Sequence, residues 1–470
     1  MNRRRFLRNG IIGCAGVAAA GIGVERIAPL VWRERVSVEP NVGFWARRAP
    51  RPGPPLSSDL DADVVVVGGG ITGLSAALAL RRNAPDRRVV VLEARGLGNG
   101  ASGRAGGFLL SWPSNEWMHV ASTPQLHRRL YELTAQAMRE EVSLAQAVGF
   151  DTQADLAGTL QTLRPGDVER ARAYVDEAIR LGIPVRLWSA ADVRSALGVT
   201  DTAGALFDPN GSHVDPMQLT LGLGAAAAAA GALIFESSPV AGIEEGSTLR
   251  VHLSSGPVVK APAAVLASGA YTTQLGFFRN AVFPAHNYMA ITSPLTPAQL
   301  SQAGLKSHLP FTNSRFNVVY AGLTRESRFR IGGGYADYRF VDGTETNKDA
   351  AAAAPGLRRE FAALYPDLRD VPFDAVWGGV VDLTLDNAPS VGVTGADRNI
   401  FHGLGYCGHG LVMAFLAGRI IGDLATGRGR KWADLPFVNR AMPYVPNEPF
   451  RWLGAKAFIK ALDLVEPPPR

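Results

Sequence analysis

The feature that most constrains this chain is a set of three glycines, Gly68, Gly70 and Gly73, spaced as G-x-G-x-x-G. They follow the four valines at 64–67, and a β-branched run of this length predicts a buried strand. Small and apolar residues at helical spacing from Ile71 to Leu80 predict a helix directly afterwards. In this context the first glycine permits a tight turn, the second lets the backbone approach a pyrophosphate, and the third lets helix and strand pack. The sequence therefore predicts a dinucleotide-binding fold rather than a glycine turn of merely structural use.

An acidic residue stands where such a site needs one. Val89–Leu92 predicts a second short strand, and Glu93 ends it 20 residues after the last glycine of the turn. A carboxylate there accepts hydrogen bonds from ribose hydroxyls and disfavours a 2′-phosphate. The helix N-terminus, at Ile71 and Thr72, adds N–H groups and about half a positive charge for the diphosphate. The predicted site also includes Ala94 and Arg95, and these residues leave FAD and NAD both open.

Composition places the chain among folded proteins, since 47% of its 470 residues are hydrophobic and 19% are charged. The formal net charge is +6, but Arg3–Arg5 and Arg8 precede the first acidic residue. Subtracting these four charges leaves about +2 for the rest of the chain. A net charge this small does not indicate the one-sided basic surface of a nucleic-acid-binding protein. The two cysteines, Cys14 and Cys407, do not supply a disulfide framework or a cysteine-rich metal site, so we expect no metal.

The N-terminus carries the parts of an export signal. Basic residues run into an apolar, glycine- and alanine-rich segment from Gly10 to Val24, which is shorter than a normal membrane-spanning helix. The order Arg3-Arg4-Arg5-Phe6-Leu7-Arg8 resembles a twin-arginine signal, which implies export of a folded protein, often with its cofactor inside. Cleavage near Ala20, lipidation at Cys14 and retention as an uncleaved anchor all stay open. We expect a periplasmic protein, or one anchored in the membrane and facing the periplasm.

Four further motifs follow the glycine turn along the chain. They are Ala101–Phe108 (ASGRAGGF), Ala267–Tyr271 (ASGAY), Trp377–Gly379 (WGG) and Gly403–Leu411 (GLGYCGHGL). Together these motifs resemble the D-amino-acid oxidase/glycine oxidase superfamily of FAD enzymes, and most of all its gamma-glutamylputrescine oxidoreductase branch, over roughly residues 44–427. The resemblance implies FAD, with the diphosphate at residues 68–73 and the adenosine ribose on Glu93.

The resemblance also implies where the rest of FAD lies. The flavin would lie between the Ser102–Gly107 loop and the Gly405–Leu411 turn, and the backbone of Val240 would contact the adenine. The implied contacts are Ser102, Gly103, Arg104, Gly106, Gly107, Val240, Ser268, Gly269, Gly405, Gly408, His409, Gly410 and Leu411. A reduced isoalloxazine carries negative charge at N1 and its C2 carbonyl, and a glycine turn leading into a helix aims backbone donors at such a spot. His409 adds a donor or caps its own turn, and we expect Arg104 to position the cofactor rather than to be a surface charge.

The chain departs from the pattern of its relatives at three places. Some relatives bond FAD covalently through a cysteine near Val381–Thr384 or a histidine in the Arg104 loop; neither residue type is present, so we expect non-covalent FAD. A lysine proposed to assist oxygen in sarcosine oxidase relatives falls on Arg330, which leaves oxygen and a respiratory carrier both open as electron acceptor. The arginine that binds the substrate carboxylate in D-amino-acid oxidases is absent after Trp377–Gly379, which disfavours a simple D-amino acid.

The predicted fold is α/β, with a Rossmann-like, discontinuous FAD-binding domain and a substrate domain built on a mainly antiparallel sheet. The predicted segments are residues 63–115, 205–272 and 376–430 for the FAD-binding domain, and residues 116–204 and 273–375 for the substrate domain. Residues 1–30 are the export signal or anchor, and the Pro- and Arg-rich residues 31–62 predict an extended linker. Residues 431–470 form a C-terminal extension, in which 451–465 predicts a basic amphipathic helix that lies on a membrane or packs on the protein.

The resemblance implies oxidation of a primary or secondary amine, or of an amino acid derivative, by hydride transfer to flavin N5. The product is an imine, which water hydrolyses. The amine must be neutral, and bringing a pKa of about 10.4 to neutrality takes roughly 4 kcal/mol from burial or neighbouring groups, so a general base is not obligatory. His286, Tyr288 and Tyr320 are the catalytic candidates from the antiparallel domain, and Asp382 is a candidate for attracting a cationic amine.

Two other functions stay open. A NAD-dependent dehydrogenase would hold no tightly bound chromophore, and the motifs from Ala101 onward disfavour it. A non-catalytic or assembly-type flavoprotein of the cell envelope would bind FAD that no small amine reduces. For the amine oxidoreductase, the expected partners are a small-molecule amine and an electron acceptor, oxygen or a respiratory carrier, with no nucleic acid. Peripheral membrane contact through the termini stays open.

Overall fold

A computed structural model describes residues 43–111, 123–344 and 349–466, so the predicted export signal lies outside the described residues. The α-helices are α1 (Ile71–Asn83), α2 (Ala101–Arg104), α3 (Pro124–Ala147), α4 (Val168–Arg180), α5 (Ala190–Leu197), α6 (Pro216–Ala229), α7 (Pro297–Gln302), α8 (Ala350–Leu364), α9 (Gly410–Ala425) and α10 (Phe450–Val465). The strands are β1 (Leu60–Asp61), β2 (Val64–Val67), β3 (Val89–Leu92), β4 (Phe108–Leu110), β5 (Thr159–Thr162), β6 (Arg186–Trp188), β7 (Ala205–Asp208), β8 (Gly211–His213), β9 (Leu233–Phe235), β10 (Val240–Glu244), β11 (Leu249–Leu253), β12 (Val258–Ala261), β13 (Ala263–Leu266), β14 (Phe283–Pro294), β15 (Phe311–Asn313), β16 (Val319–Leu323), β17 (Arg328–Asp337), β18 (Phe373–Leu383), β19 (Ser390–Thr394) and β20 (Ile400–Leu404).

A six-stranded sheet of order β19-β20-β13-β2-β3-β9 carries the glycine turn. Its strands run parallel except for β19, which pairs antiparallel with β20 at the edge. Side chains alternate between the faces of a strand, so Val64 and Val66 pack among helices α1, α3, α6 and α9. Val65 and Val67 pack on the opposite face against the small sheet β1-β12-β11-β10. Burial on both faces explains why this strand is four consecutive valines.

Close helix packing fixes the direction of α1, the helix that follows the glycine turn. A Cβ on Gly418 of α9 would lie 2.5 Å from the Cβ of Ser75, and one on Gly422 would lie 2.5 Å from the Cβ of Ala79. These two glycines therefore let α9 approach α1 closely, which positions the N-terminus of α1 at the end of β2.

The second large sheet has eight strands in the order β18-β14-β17-β16-β15-β5-β7-β6. Only β15 and β5 pair in parallel, and the other neighbours are antiparallel. Phe329 and Ile331 of β17 pack into a core with Phe361 and Tyr365 from α8 and its end. Helix α8 therefore covers one face of this sheet. The predicted α/β fold with a mainly antiparallel second sheet is confirmed.

The sheets divide the chain differently from the predicted segments. Strands β7 and β18 belong to the antiparallel sheet, although residues 205–208 and 376–383 were expected in the FAD-binding domain. Helix α3 packs with α6 and α9 in the core beside the parallel sheet, although its residues were expected in the substrate domain. Periodicity identifies a strand or an amphipathic helix, but it does not show which sheet will bury it.

Part of the predicted linker is packed into the protein. Phe44–Arg48 forms a 3₁₀ helix, and Trp45 in it is only 4% exposed. The Trp45 indole lies edge-on to Trp377 with ring centroids 6.5 Å apart, and its Nε1 donates a hydrogen bond to the carbonyl oxygen of Ala105 at 3.0 Å. The expectation of an extended surface linker is therefore wrong for this part, because aromatic side chains bury it against the Arg104 loop.

The C-terminal helix α10 packs on the antiparallel sheet. Lys456 Nζ lies 2.5 Å from Asp337 Oδ1, and the rings of Phe458 and Phe316 meet edge to face with centroids 5.5 Å apart. The same helix leaves Phe450 71% exposed and Leu464 80% exposed. Packing on the protein is therefore shown, and membrane contact stays a prediction. Within the described ranges, no helix combines the length and the apolar composition that crossing a membrane requires.

Candidate active site and cofactor site

The glycine turn between β2 and α1 has a geometry that side chains would obstruct. Gly68 has a φ of +113°, and a Cβ there would lie 2.5 Å from the carbonyl oxygen of Ala267. A Cβ on Gly73 would lie 2.0 Å from the carbonyl oxygen of Gly68, so glycine is needed for α1 to begin this close to the strand. The backbone of Gly68 and Gly70 therefore borders a cavity with no side chain in between.

Glu93 lies after β3 and holds the glycine turn in place. Its Oε2 accepts a hydrogen bond from Gly69 N at 2.7 Å, and its Oε1 accepts one from Arg95 N at 2.9 Å. Burial raises the pKa of the Glu93 carboxyl, and these backbone donors oppose the rise. A carboxylate has about four acceptor positions, so both oxygens keep capacity for hydroxyl donors on the cavity side.

Arg104 is a buried residue that ties the α2 loop to the antiparallel sheet. Its Nε donates to the carbonyl oxygen of Asn99 at 2.7 Å, and its Nη1 donates to that of Gly378 at 3.2 Å. Trp377 Nε1 donates in return to the Arg104 carbonyl oxygen at 2.9 Å. Burial lowers the pKa of the Arg104 guanidinium. Arg104 is therefore not a surface charge and it positions the loop, while the expectation that it positions the cofactor stays a prediction.

Asp382 shapes the glycine turn that precedes α9. Its Oδ2 accepts a hydrogen bond from Gly405 N at 2.5 Å, and its backbone carbonyl accepts one from Cys407 N at 3.1 Å. Gly405 and Gly408 have φ values of +77° and +87°, the left-handed region that favours glycine. Burial raises the pKa of the Asp382 carboxyl to about 6. His409 Nδ1 lies 3.3 Å from the Cys407 carbonyl oxygen, so the histidine ring contacts its own turn.

A continuous cavity of about 2030 Å³ joins these elements to the antiparallel sheet. Its lining runs from the glycine turn, Glu93 and Val240 to residues of β5, β7, β14, β16 and β17 and to helix α10. Pockets for drug-sized ligands measure about 300–1,000 Å³. The cavity is therefore large enough for a dinucleotide together with a second small molecule.

Most of the predicted cofactor residues line this cavity. They are Gly68, Gly70, Thr72, Glu93, Ala94, Arg95, Ser102, Arg104, Gly106, Val240, Ser268, Gly269, Gly408, His409, Gly410 and Leu411. Five others, Ile71, Gly73, Gly103, Gly107 and Gly405, are not among the lining residues. At least two of these five serve packing, since a Cβ on Gly103 would lie 2.4 Å from the Gly98 carbonyl oxygen and one on Gly107 would lie 2.3 Å from that of Val214.

Three of the four predicted catalytic residues, His286, Tyr320 and Asp382, line the cavity together. Tyr288 is not among the lining residues and packs instead in the core beneath the antiparallel sheet. Ala285, Asn287 and Met289 of β14 line the cavity, whereas Tyr288 and Ala290 pack in the core, so alternation along the strand turns the Tyr288 side chain away from the site. The expectation that Tyr288 faces the site is therefore not supported by its position.

Arg330 is a buried cation close to the loop that includes Gly107. Its guanidinium carbon lies 4.7 Å from the centroid of the Phe108 ring, and its Nη1 would lie 3.1 Å from a Cβ on Gly107. None of its three guanidinium nitrogens has a hydrogen-bond partner among the described residues. Burial lowers the pKa of Arg330 to about 9, against the attraction of Asp155 and Asp215. The sequence did not predict where the Arg330 side chain would pack. Alternation along β17 places it on the face of the sheet away from Phe329 and Ile331, which pack against α8.

Sequence reasoning also missed lining residues that come from distant segments. Asp208 of β7 lines the cavity, and its Oδ1 accepts a hydrogen bond from the Tyr131 hydroxyl at 2.7 Å. Helix α10 supplies further lining residues. No local motif marks either element, because each reaches the site only through the tertiary fold.

Comparison with known proteins identifies the family. The family model for FAD dependent oxidoreductases named DAO matches residues 63–424. Gamma-glutamylputrescine oxidoreductase of Escherichia coli strain K12 is 29% identical over 413 residues, which cover 85% of this chain and 92% of that protein. The probable oxidoreductase OrdL of Haemophilus influenzae is 27% identical over 393 residues, covering 80% of this chain and 85% of that protein. The crystal structure of glycine oxidase from Geobacillus kaustophilus has a TM-score of 0.68 at 22% identity, covering 81% of this chain and all of that one.

The chain belongs to the DAO family of FAD-dependent oxidoreductases. The predicted resemblance is confirmed at this level, including the kinship with gamma-glutamylputrescine oxidoreductase and glycine oxidase. The homologues are amine or amino-acid oxidoreductases, so the chain is an enzyme of this class and FAD is its cofactor. The NAD-dependent and the non-catalytic alternatives find no support in these relatives.

The described residues fit FAD. At Gly68 a Cβ would collide with the backbone of Ala267, so the turn leaves its own backbone facing the cavity. The cavity continues past Glu93 and Val240 at one end and past the Gly408–Leu411 turn at another. The turn at Gly68 would hold the diphosphate, Glu93 and Val240 would hold the adenosine, and the Gly408–Leu411 turn would hold the flavin.

Proposed function

We propose that this chain oxidises a primary or secondary amine, or an amino acid derivative, with FAD held without a covalent bond. The observation that carries the proposal is that one cavity is bordered by both glycine turns and by His286, Tyr320 and Asp382. When bound there, FAD supplies the acceptor for the hydride that leaves the carbon beside the amine nitrogen. The substrate also loses a proton, and water hydrolyses the resulting imine to a carbonyl compound and an amine or ammonia.

His286 lines the cavity but adds no positive charge that would repel a cationic amine. Burial lowers the pKa of His286, and its Nε2 lies 2.7 Å from the carbonyl oxygen of Gly343. That contact is a hydrogen bond only if Nε2 carries the proton, which leaves Nδ1 as the acceptor of a neutral ring. The neutral imidazole therefore does not oppose entry of an ammonium group.

Asp382 supplies negative charge to the lining of the same cavity. Its pKa of about 6 means that the carboxyl is ionised at neutral pH, where it attracts an ammonium group. Since Asp382 Oδ2 also holds Gly405 N, replacement by alanine would disturb the turn as well as the charge. Asp382→Asn keeps an acceptor and removes the charge, so we expect a higher KM for amines with kcat less affected. An unchanged KM would reject this role for the carboxylate.

Cys407 is the one cysteine among the described residues, and its protonated thiol supports the proposal of non-covalent FAD. It lines the cavity, but burial raises the pKa of its thiol to about 12. Its Sγ donates a hydrogen bond to the Gly405 carbonyl oxygen at 3.2 Å. A protonated thiol is a poor nucleophile. Acid denaturation is therefore expected to release all of the flavin into the supernatant.

The proposed function is tested by reduction of the bound flavin. The purified holoprotein is mixed anaerobically with a panel of primary amines, secondary amines and N-methyl amino acids while its visible spectrum is recorded. We expect at least one of them to bleach the flavin, and a holoprotein that dithionite bleaches but no panel member does would contradict the proposal. Air is then admitted, because rapid recolouring favours oxygen as acceptor and slow recolouring favours a respiratory carrier.

We further propose export by the twin-arginine route, which the order of residues from Arg3 to Arg8 supports. The test compares the cell fraction that holds the full chain with that of a variant carrying both Arg3→Lys and Arg4→Lys. We expect the substituted chain to stay in the cytoplasm and the unchanged chain to reach the periplasmic or membrane fraction. The same distribution for both would contradict the proposal.

A further inference from the structure

The C-terminal helix α10 forms a wall of the substrate side of the cavity. The lining residues Arg451, Ala455, Phe458, Ile459 and Leu462 are spaced three or four residues apart, with one adjacent pair. This spacing places them on one face of the helix. The family match ends at residue 424, so the wall comes from a part of the chain outside it.

Contacts with the antiparallel sheet hold this wall next to the proposed catalytic residues. Lys456 pairs with Asp337, and Asp337 stands opposite His286 in the ladder between β17 and β14. At the other end of the helix, Glu466 Oε2 accepts a hydrogen bond from Phe316 N at 2.5 Å. The wall is therefore fixed to the strand that neighbours His286.

The cationic side chains of the cavity lining either donate hydrogen bonds to backbone carbonyls or lie beside the glycine turn between β2 and α1. Among the described lining residues, arginine occurs at 95, 104 and 451 and lysine does not occur. Arg104 donates to two backbone carbonyls, and Arg451 donates to those of Pro446 at 2.8 Å and Arg279 at 2.5 Å. Arg95 follows Glu93 beside the glycine turn. The described lining therefore offers no dedicated cation for a substrate carboxylate on the α10 side.

Apolar side chains dominate the same region of the lining. Helix α10 contributes Phe458, Ile459 and Leu462, and Phe316, whose ring meets that of Phe458, also lines the cavity. Burying methylene groups against such a surface is favourable, whereas burying a charged group against it is not.

We infer that α10 selects amines that carry an extended apolar substituent, which lies against Phe458, Ile459 and Leu462. The inference rests on the proposed function, since it names the substrate class of that site. Burial of one methylene changes affinity about fourfold, so an eight-carbon chain is expected to bind far more tightly than a four-carbon chain.

The test measures binding of n-butylamine and n-octylamine to the anaerobic holoprotein by calorimetry. We expect n-octylamine to bind at least tenfold more tightly. Leu462→Ala removes a lining side chain that is 5% exposed, and it is expected to weaken n-octylamine about fivefold with n-butylamine unchanged within twofold. The matched control is Leu464→Ala, two residues away on the same helix, whose side chain is 80% exposed and does not line the cavity. It is expected to change neither affinity.

A second variant acts in the opposite direction and does not depend on removing a buried side chain. Ala455→Phe adds bulk to the lining face of α10, so it is expected to weaken n-octylamine at least tenfold and n-butylamine much less. Equal affinity of the two amines for the unchanged holoprotein overturns the inference. So does an equal effect of Leu462→Ala and Leu464→Ala.

The flavin spectrum of the same samples separates this inference from the proposed function. Chain-length-dependent binding, with no bleaching by these two amines or by any other panel member, supports the apolar wall and contradicts amine oxidation. Bleaching that is independent of chain length, with no preference in binding, supports amine oxidation and overturns the inference.

Discussion

The cofactor end and the substrate end of the cavity are built in different ways. At the cofactor end, a few consecutive residues between Gly68 and Gly73 present backbone to the cavity, and the Glu93 carboxyl holds their turn in place. At the substrate end, the wall consists of side chains from strands and from α10, which are far apart in sequence. The first kind of site depends on the absence of side chains, and the second depends on their size and charge. Substitutions at the two ends should therefore fail in different ways.

The largest expected effect is at the cofactor end. Gly73→Ala places a Cβ 2.0 Å from the Gly68 carbonyl oxygen, so the strand, turn and helix must separate. We expect a loss of about 3 kcal/mol in the free energy of unfolding and a protein that is purified largely without flavin. Both are measured by urea unfolding and by flavin released per protein chain. Gly166→Ala is the matched control, because a Cβ there meets no atom of the described residues within 4 Å. A comparable loss in the control would contradict this explanation.

The next effect is a pH dependence at the turn that Asp382 holds. Burial raises the pKa of this carboxyl from 3.8 to about 6. The folded state then binds the proton more tightly, so the associated stability is present below about pH 4 and is lost as the pH rises through 6. The loss is on the order of 2 to 3 kcal/mol. Asp382→Asn does not ionise, and it should become more stable relative to the unchanged protein at pH 7.5 than at pH 4.5.

Urea unfolding of both proteins at the two pH values measures this difference. Asp215 also has a raised pKa of about 6, but it is present in both proteins and cancels in the comparison. The same pH dependence in both proteins would show that Asp382 does not titrate as its burial requires.

A smaller effect is expected for the acid that holds the glycine turn. Glu93→Gln removes the charge and leaves a single side-chain acceptor for the N–H groups of Gly69 and Arg95. Hydrogen bonds to charged groups contribute about 1.5–3 kcal/mol, so we expect FAD to bind about tenfold more weakly. Flavin titration of the apoprotein measures the change. The exposed Glu244→Gln serves as control, and equal affinities for Glu93→Gln and Glu244→Gln would contradict the role of Glu93.

The smallest expected effect lies on the surface, away from both ends. Arg325 Nη1 and Asp151 Oδ2 are 2.8 Å apart, but the two side chains are 55% and 68% exposed. Exposed pairs contribute about 0–1 kcal/mol because water and salt screen them. We expect Arg325→Ala to change the free energy of unfolding by less than about 0.5 kcal/mol, and a loss above 2 kcal/mol would contradict the assignment of stability to buried contacts.

The same contrast explains which parts of the molecule could be predicted. The glycine turn and Glu93 carry a local signal, because their function depends on the spacing of a few neighbouring residues. The position of Tyr288 could not be predicted, because alternation shows which residues of β14 share a face but not which face meets the cavity. The burial of Trp45 and the lining role of α10 were missed for a related reason. An apolar face shows that a segment will be buried, but the residues that cover it come from other parts of the chain.

The central claim is that the cavity holds FAD and a neutral amine together, so that oxidation of the amine reduces the flavin. The most direct measurement is a single anaerobic turnover of the holoprotein with excess n-octylamine, followed by quantification of octanal and of reduced flavin. We predict one equivalent of the aldehyde for each equivalent of flavin that is bleached. A flavin that stays oxidised in the presence of bound n-octylamine, or that is bleached without any aldehyde, would contradict the account.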